Sequence, residues 1–287
     1  MVTVLKLILM AKQLVVVVSK IYGRIMEEKS MEQIDDSIIF KEKLQQELTA
    51  LMDAPGIIFD QTKNLMDMLV EYRELMMMYT CAIKEVRTKF EVLDTEFSVR
   101  FERNPISAIR TRLKHTNSIV GKLEKNNLAF SLKNIEMYVN DVAGIRVVCS
   151  YIDDIYEIAN SLLAQDDITL VKRKDYIVYP KPNGYRSLHL IVKVPVFFAN
   201  EKKDMKVEVQ IRTIAMDFWA SLEHQLKYKQ DIPNQNEIVA QLKKCADVIA
   251  STDEEMLGIR QKIEAGYDVQ TEEDILLEKL SRMDVNI

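Results

Sequence analysis

Two acidic residues, each in a strand-like apolar segment, could carry the chemistry of this chain. Asp141 begins the run DVAGIRVV, and Glu208 lies inside KVEVQIR. Lysines and arginines are frequent in the same region: Arg112, Lys114, Lys122, Arg146, Lys172, Arg173, Lys174, Lys181 and Arg186. Carboxylates hold Mg²⁺ together with substrate phosphates, and cations stabilise charge on a transferred group, so the set indicates phosphoryl chemistry. The alternative is structural: Asp141 caps a turn and Glu208 forms surface salt bridges.

Other site chemistries find no support in the sequence. Its seven glycines form neither a G-x-x-x-x-G-K-[ST] loop nor a G-x-G-x-x-G fingerprint, and no G-x-S-x-G elbow occurs. The three histidines and three cysteines are too scattered to suggest a metal cluster, a zinc site or a disulfide framework. We therefore expect a protein of the reducing cytoplasm.

Charge is unevenly distributed along the 287 residues, whose net charge is -5. Residues 101–230 carry 20 basic against 15 acidic side chains (+5), whereas residues 231–287 carry 6 against 13 (-7). A general nucleic-acid binder usually has a basic excess, which the net charge argues against. The central basic excess favours a phosphorylated small molecule as ligand, and a solvated helix face is the alternative.

The segment Val2 to Val18 is strongly apolar, but Lys6 and Lys12 interrupt it. A membrane-spanning helix needs about 20 mostly uncharged residues, and no clear small-residue cleavage site follows. We expect a packed helix or strand here, or true initiation near Met26 or Met31, rather than membrane insertion.

Helices are predicted before the first acid. From Gln61 to about Arg103 there is no proline or glycine, and apolar residues recur at helical spacing, which predicts one long helix or a kinked pair. Asn104 and Pro105 then predict a new helix start, as N-cap and first helical residue. This new helix would carry the cations Arg110, Arg112, Lys114 and Lys122.

Strands are predicted around both acids. Val142 to Ser150 is a β-branched apolar run typical of a buried strand, and His189 to Val196 is a second strand candidate, after an Asn-Gly turn in Pro180 to Gly184. Lys206 to Arg212 alternates, which predicts a half-buried strand with Glu208 and Gln210 on its polar face. A capping-box spacing at Asp154 to Glu157 predicts a helix to about Leu163, and helices are expected again from Asp217 to Leu280. We expect an α/β or α+β fold with a mixed central sheet wrapped by helices.

One geometric question stays open at this level. Strict alternation from Asp141 would place Arg146 on the opposite face of the strand. Either Asp141 precedes the strand, or Gly144 marks a bulge that resets the alternation.

The segment DYIVYPKPNGYRSLH, from Asp175 to His189, resembles the guanine-nucleotide motif of the alarmone (p)ppGpp synthetases, the RelA/SpoT homologue family. Three other segments resemble that family in order and spacing: Arg112 to Lys122, Asp141 to Val147, and Glu208 to Thr213 with Trp219 and Glu223-His224 after it. The resemblance covers roughly residues 104–230. It implies a nucleotidyltransferase-like synthetase domain there, after an extension (1–60) and a helical segment (61–103), and before C-terminal helices (231–287) suited to oligomerisation.

The resemblance also implies an activity, the transfer of the β,γ-pyrophosphate of ATP to the 3′-hydroxyl of GDP or GTP. The implied ATP-binding residues are Arg112, Lys114, Ser118, Lys122 and Arg146. The implied GDP/GTP-binding residues are Lys174, Lys181, Asn183, Tyr185 and His189. Asp141 and Glu208 would bind Mg²⁺, and Glu208, helped by Gln210, would assist deprotonation of the attacking hydroxyl.

The resemblance is to the small, synthetase-only members of the family. No histidine precedes His115, which excludes a histidine-ligated hydrolase site in the first hundred residues. The resemblance to these members implies a homo-oligomer, which we expect to be a homotetramer. It also implies single-stranded RNA as a candidate regulatory ligand. The alternative is a regulator that binds guanine nucleotide or single-stranded RNA without catalysis, but the presence of both Asp141 and Glu208 argues against it.

Overall fold

A computed structural model describes residues 59–227 and 235–267. The predictions for Val2 to Val18, for residues 1–58 and for residues 268–287 lie outside these ranges. Contacts divide the chain into two compact units: of the described residues, the first holds 59–80 and 113–142, and the second holds 81–112, 143–227 and 235–267. The predicted domain limits at residues 104 and 230 stay a prediction.

Of the two predicted alternatives, one long helix or a kinked pair, the structure has the first: α1 (Phe59–Phe101) is a single helix of 43 residues. In the second unit its buried residues recur at three- and four-residue spacing: Ala82, Ile83, Val86, Phe90, Leu93 and Phe97. The helix ends where Glu102 adopts the left-handed conformation (φ 52°) and the N–H of Arg103 donates to the carbonyl of Phe97.

The second unit is built around a mixed five-stranded sheet, which confirms the predicted fold class. Its strands are β1 (Ile106–Leu113), β2 (Ala143–Cys149), β3 (Thr169–Asp175), β4 (Leu188–Phe197) and β5 (Lys202–Thr213). Their order is β1-β2-β5-β4-β3, with β2 and β5 parallel and with β4 antiparallel to both β5 and β3. Five further helices are described: α2 (Thr116–Lys125), α3 (Leu132–Tyr138), α4 (Ile152–Leu163), α5 (Ile214–Lys227) and α6 (Gln235–Tyr267).

The sheet has one apolar face and one polar face, as the alternation in β5 predicted. Val207, Val209 and Ile211 are fully buried, whereas Glu208 and Gln210 between them are partly exposed. Helix α4 packs against β2 and β5 with buried Ile155, Ile158, Ala159 and Leu162. The polar side chains of β5 therefore project away from the buried apolar face.

The predicted helix start at Asn104 and Pro105 is wrong. Residues Ile106–Leu113 form strand β1 at one edge of the sheet, and Arg110 and Arg112 lie on that strand. Lys122 lies on the separate helix α2, while Lys114 falls in the connection before it. Isoleucine and threonine in ISAIRTRL favour a strand as much as a helix, and pairing with β2 decides between them.

The capping box at Asp154 is also placed differently. Helix α4 begins at Ile152, and the carboxylate of Asp154, inside the first turn, accepts the N–H of Tyr151 at 3.1 Å. Asp154 is therefore the acidic member of the cap and not its first residue. Its buried carboxylate also pairs with Arg103 and Arg260.

The open question about Asp141 is answered by the register. β2 begins at Ala143, and its pairing with β5 runs without a shift from Ala143↔Val207 to Cys149↔Thr213. Asp141 therefore precedes the strand, and Gly144 does not form a bulge in this pairing.

No described helix, within 59–227 or 235–267, combines the length and the apolar character that crossing a membrane requires.

Candidate active site

A row of four predicted site residues crosses the polar face of the sheet. Lys174 on β3 pairs with His189 on β4, His189 pairs with Gln210 on β5, and Gln210 pairs with Arg146 on β2. Directly paired residues project to the same face. The strand order thus brings together side chains that are up to 64 positions apart in sequence, from 146 to 210.

Glu208 lies next to this row and is hydrogen-bonded within it. The Nε2 of Gln210 donates to Oε2 of Glu208 at 3.0 Å. Nδ1 of His189 lies 3.5 Å from Oε1 of the same carboxylate. Both oxygens of Glu208 are thus oriented by neighbours that the sequence predicted as site residues.

The loop between β3 and β4 presents Tyr185. Its turn is closed by the N–H of Gly184, which donates to the carbonyl of Lys181 at 2.8 Å, and the side chain of Asn183 accepts the N–H of Tyr185 at 3.3 Å. Gly184 has a φ of 89°, which favours glycine, and a Cβ added there would lie 2.5 Å from the Cβ of Ala246 on α6. The loop is therefore seated closely on helix α6.

Cations and aromatic rings surround the Tyr185 side chain. The ammonium of Lys181 lies 4.5 Å from the ring centroid and the guanidinium of Arg212 lies 5.1 Å from it. Nη2 of Arg212 donates to the hydroxyl at 2.6 Å, and that hydroxyl lies 2.7 Å from Nε2 of His189. Tyr176 completes the cluster, with its ring 6.0 Å from that of Tyr185 and 5.2 Å from that of His189.

Asp217 is a site residue that the sequence analysis did not single out. Its buried carboxylate contacts three arginines: Arg110 at 2.9 Å, Arg146 at 3.2 Å and Arg212 at 3.2 Å. Burial lowers the pKa of Arg146, and its neighbour Arg212 lowers it further, while Asp217 opposes both. The available signal was chemical: several arginines on one sheet face need a counter-anion, and the first acid after β5 is Asp217.

Helix α5 contributes two further contacts near the loop. The amide of Asn183 donates to Oε1 of the buried Glu223 at 3.1 Å. Trp219 is buried against Tyr185 and Ala246, and its Nε1 donates to the carbonyl of Leu242 at 2.9 Å. Trp219 therefore packs the loop that carries Tyr185 against α6.

In the first unit a separate cluster forms around Asp141. Lys114 Nζ lies 3.0 Å from one carboxylate oxygen and Lys122 Nζ lies 2.8 Å from the other. Burial alone would raise the pKa of Asp141, but the two lysines outweigh it and the pKa falls below its ordinary value. Asp141 is therefore an ionised carboxylate at neutral pH.

Besides Lys181, three predicted site residues are exposed. Arg112 lies near the end of β1, Ser118 lies on α2 one turn before Lys122, and Lys174 lies on β3. Their side chains are accessible to a ligand, and the structure assigns them no role by itself.

Each of the two predicted carboxylates, taken by itself, is of the type that binds Mg²⁺. Within the described part of the chain no group of three or more His, Cys, Asp or Glu side chains could hold a metal ion. Asp141 and Glu208 each offer hard carboxylate oxygens, and Mg²⁺ usually takes one or two carboxylates and completes its shell with water and phosphate oxygens.

Comparison with known proteins identifies the family. Residues 111–233 match the family described as a region found in RelA / SpoT proteins. GTP pyrophosphokinase YwaC of Bacillus subtilis is 40% identical over 215 residues, which cover 74% of this chain and 100% of that protein. The chain therefore belongs to the RelA/SpoT family.

Solved structures of small alarmone synthetases have the same fold. Small alarmone synthetase 2 from Bacillus subtilis is 42% identical with a TM-score of 0.60, over 67% of this chain and 99% of that chain. Small alarmone synthetase 1 from the same organism, bound to its product pppGpp, is 34% identical with a TM-score of 0.62, over 68% and 98% of the two chains. The same enzyme bound to AMPCPP is 31% identical with a TM-score of 0.57, over 68% and 98%.

Proposed function

We propose that this protein is a GTP/GDP pyrophosphokinase that makes (p)ppGpp and AMP from ATP and GDP or GTP, as a signal of the stringent response. The observation that carries the proposal is the polar face of the sheet. On that face Nε2 of His189 lies 2.7 Å from the hydroxyl of Tyr185, and Nδ1 of His189 lies 3.5 Å from the carboxylate of Glu208, which also accepts from Gln210. The relatives named GTP pyrophosphokinase and the structure with bound pppGpp support the same reaction.

The acceptor nucleotide binds at the loop between β3 and β4. The guanine stacks on Tyr185, whose ring is already held by cation contacts from Lys181 and Arg212. Asn183 and His189 contact the nucleotide, and the exposed ammonium groups of Lys174 and Lys181 bind its phosphates.

The donor nucleotide uses arginines and lysines. Arg112 and Arg146 stack on the two faces of the adenine, because guanidinium planes stack well on aromatic rings. Lys114 and Lys122 bind the phosphates of ATP, and Ser118, on the same face of α2 as Lys122, adds a hydroxyl.

Glu208 acts as the general base. It takes the proton from the 3′-hydroxyl as that oxygen bonds to the β-phosphorus of ATP, while the bond from this phosphorus to the oxygen bridging the α-phosphorus breaks and AMP leaves. Gln210 holds Glu208 in place through its 3.0 Å hydrogen bond. Asp141 and Glu208 would hold Mg²⁺, and the ion would neutralise charge on the phosphates.

Assembly and location complete the proposal. We place the protein in the cytoplasm as a homotetramer, and exposed apolar residues on α6 (Val248, Met256, Ile259 and Ile263) support subunit contacts there. A monomer at micromolar concentration in light scattering would overturn the tetramer. Single-stranded RNA is the regulator for which we would test, through the exposed basic side chains of β3.

Labelled ATP tests the activity directly. The protein is incubated with Mg²⁺, ATP labelled at the γ-phosphate, and GDP, GTP or GMP, and products are separated by thin-layer chromatography. Label in a guanosine tetra- or pentaphosphate supports the proposal. No transfer with any acceptor rules it out, and nucleotide binding without transfer would favour a non-catalytic regulator.

A further inference from the structure

Asp217 connects the two sides of the candidate site through its arginine partners. Its side chain is 7% exposed, and one of its oxygens lies 3.2 Å from both Arg146 and Arg212, while the other accepts from Arg110 at 2.9 Å. Arg146 is one of the proposed donor-side residues. Arg212 leads to the acceptor side, because its Nη2 donates to the hydroxyl of Tyr185 at 2.6 Å.

We infer that Asp217 is a positioning residue for both substrates: it fixes Arg146 for the adenine of ATP and, through Arg212, fixes Tyr185 for the guanine. This inference rests on the proposed function. Asp217 itself need not touch either nucleotide.

Burial and charge make this role necessary. Arg212 is 4% exposed and would be a buried, unbalanced cation without an anion beside it. The Nε of Arg146 is buried and has no hydrogen-bond partner among the described residues. Within those residues, the contact with Asp217 is the one ion pair that orients the guanidinium of Arg146. Without Asp217 the guanidinium groups of Arg110, Arg146 and Arg212 would repel one another.

The guanidinium of Arg212 also links Asp217 to Glu208, the proposed general base. The same Nη2 that reaches Tyr185 donates to Oε1 of Gln210 at 2.9 Å, and Gln210 in turn donates to Glu208. The buried carboxylate of Asp217 thus orients Arg146 directly and Tyr185 through Arg212. It also acts on Glu208, through Arg212 and then Gln210.

Asp217→Asn tests this by a split in kinetic constants. The substitution keeps the shape and removes the charge, and we expect KM for ATP and KM for GDP each to rise about tenfold, since charge-assisted hydrogen bonds are roughly twice as strong as neutral ones. A purely structural role would lower the folded fraction, and with it kcat, but would leave both KM values unchanged because KM does not depend on enzyme concentration.

Asp154→Asn is the matched control. Asp154 is also a buried carboxylate paired with two arginines, Arg103 and Arg260, but it lies on α4, which packs on β2 and β5 with its apolar residues. It should lower thermal stability and leave both KM values at the level of the wild type. If Asp217→Asn behaves like Asp154→Asn, the inference is overturned.

Tyr185→Phe separates the effect of Asp217 on ATP binding, through Arg146, from its effect on GDP binding, through Arg212 and Tyr185. In this background the hydroxyl that Arg212 holds is missing, so Asp217→Asn should raise KM for ATP as before but have less effect on KM for GDP. Equal effects in both backgrounds would contradict the route through Arg212. Should Asp217→Asn fail to fold, Arg212→Lys supplies the acceptor-side test alone. Arg212 uses Nη1 for Asp217 and Nη2 for Tyr185 and Gln210, and lysine replaces these two nitrogens with one. An unchanged KM for GDP would therefore overturn the link from Asp217 to Tyr185.

Activity of the wild type distinguishes a failure of the proposed function from a failure of the positioning role of Asp217. If it transfers no label, the proposed function fails; if it transfers label and only the Asp217 variant behaves as the control does, the positioning role alone fails.

Discussion

The hydroxyl of Tyr185 lies 2.7 Å from Nε2 of His189. Because Nη2 of Arg212 already donates to this hydroxyl, the hydroxyl proton is directed to His189, and Nε2 of His189 is the acceptor. Nδ1 then carries the proton and faces Glu208. This assignment requires a neutral His189, and burial, which lowers the pKa of His189 below its ordinary 6.5, keeps it neutral.

The stability of the protein should therefore depend on His189 in mild acid. Glu208 favours the cation, but burial, Arg212 and Lys181 outweigh it. As the pH falls below 6.5 the unfolded chain takes up this proton before the folded protein does, so stability is full above 6.5 and falls until the pH reaches the folded pKa. Thermal melts from pH 8 to 5 should show a shallower loss for His189→Gln than for the wild type.

A control residue for this pH series is His224, which is exposed on α5. His224→Gln should reproduce the pH dependence of the wild type. An identical slope for His189→Gln and the wild type would show that His189 does not contribute.

The two lysines on Asp141 should differ in their contribution to stability. The side chain of Lys114 is 13% exposed and that of Lys122 is 39% exposed. We expect Lys114→Met to lower the free energy of unfolding by about 1.5–3 kcal/mol, as for a hydrogen bond to a charged group, and Lys122→Met by about 0.2–1 kcal/mol, as for an exposed ion pair. Urea unfolding at pH 7 measures both.

Asp141→Asn provides the control for this pair. In that background the two lysine substitutions should lose most of their difference, because the shared anion is gone. The contribution of Asp141 is present above its ordinary pKa of 3.8 and is lost as the pH falls through its lower folded pKa. If the order of the two lysines were reversed, burial would not be what sets their contribution.

The sequence predicts those elements whose local residue pattern matches the burial they have in the folded protein. The alternation of β5 and the apolar run of β2 indicate buried strands, and both are strands in the structure. The edge strand β1 was predicted as a helix because Asn104 and Pro105 match a helix start. The residues that follow, ISAIRTRL, are compatible with either structure, and only the neighbouring strand selects one. The same local evidence could not place Asp154 within its capping box.

The grouping of candidate site residues was predictable where the residues share a strand or a motif. Glu208 and Gln210 alternate on one strand, and Tyr185 follows an Asn-Gly turn, so both were visible in the sequence. Asp217 was not, because its partner Arg110 is 107 residues away and an acid in the first turn of a helix has an ordinary local explanation. Contacts of that separation depend on strand order, which local patterns do not contain.

Gly184→Ala should impair the acceptor side alone. The residue has a φ of 89°, and the new Cβ would lie 2.5 Å from the Cβ of Ala246 and 3.3 Å from the Cα of Lys243. We expect a loss of stability of about 1–3 kcal/mol from overpacking and a severalfold rise in KM for GDP, with KM for ATP unchanged. Steady-state kinetics with each substrate varied in turn distinguishes the two.

Two variants control this test. Gly258→Ala, on α6, adds a Cβ that meets nothing within 4 Å and should be neutral or stabilise by up to about 1 kcal/mol. Gly184→Ala with Ala246→Gly restores the space but not the backbone conformation, so it should recover only part of the loss. An unchanged KM for GDP in Gly184→Ala would mean that the seating of the loop on α6 does not affect acceptor binding.

Glu208→Gln should stop catalysis and keep binding. A glutamine can still accept the hydrogen bond from Gln210 Nε2, which lies 3.0 Å from the carboxylate, so the geometry of the cluster survives while the base is lost. We expect kcat to fall by about 10²–10⁴-fold, the usual contribution of a general base, and the Kd of GDP in calorimetry to stay within a few-fold of the wild type. Glu201→Gln, at an exposed acid just before β5, should leave both unchanged. Retained turnover in Glu208→Gln would remove Glu208 from the mechanism.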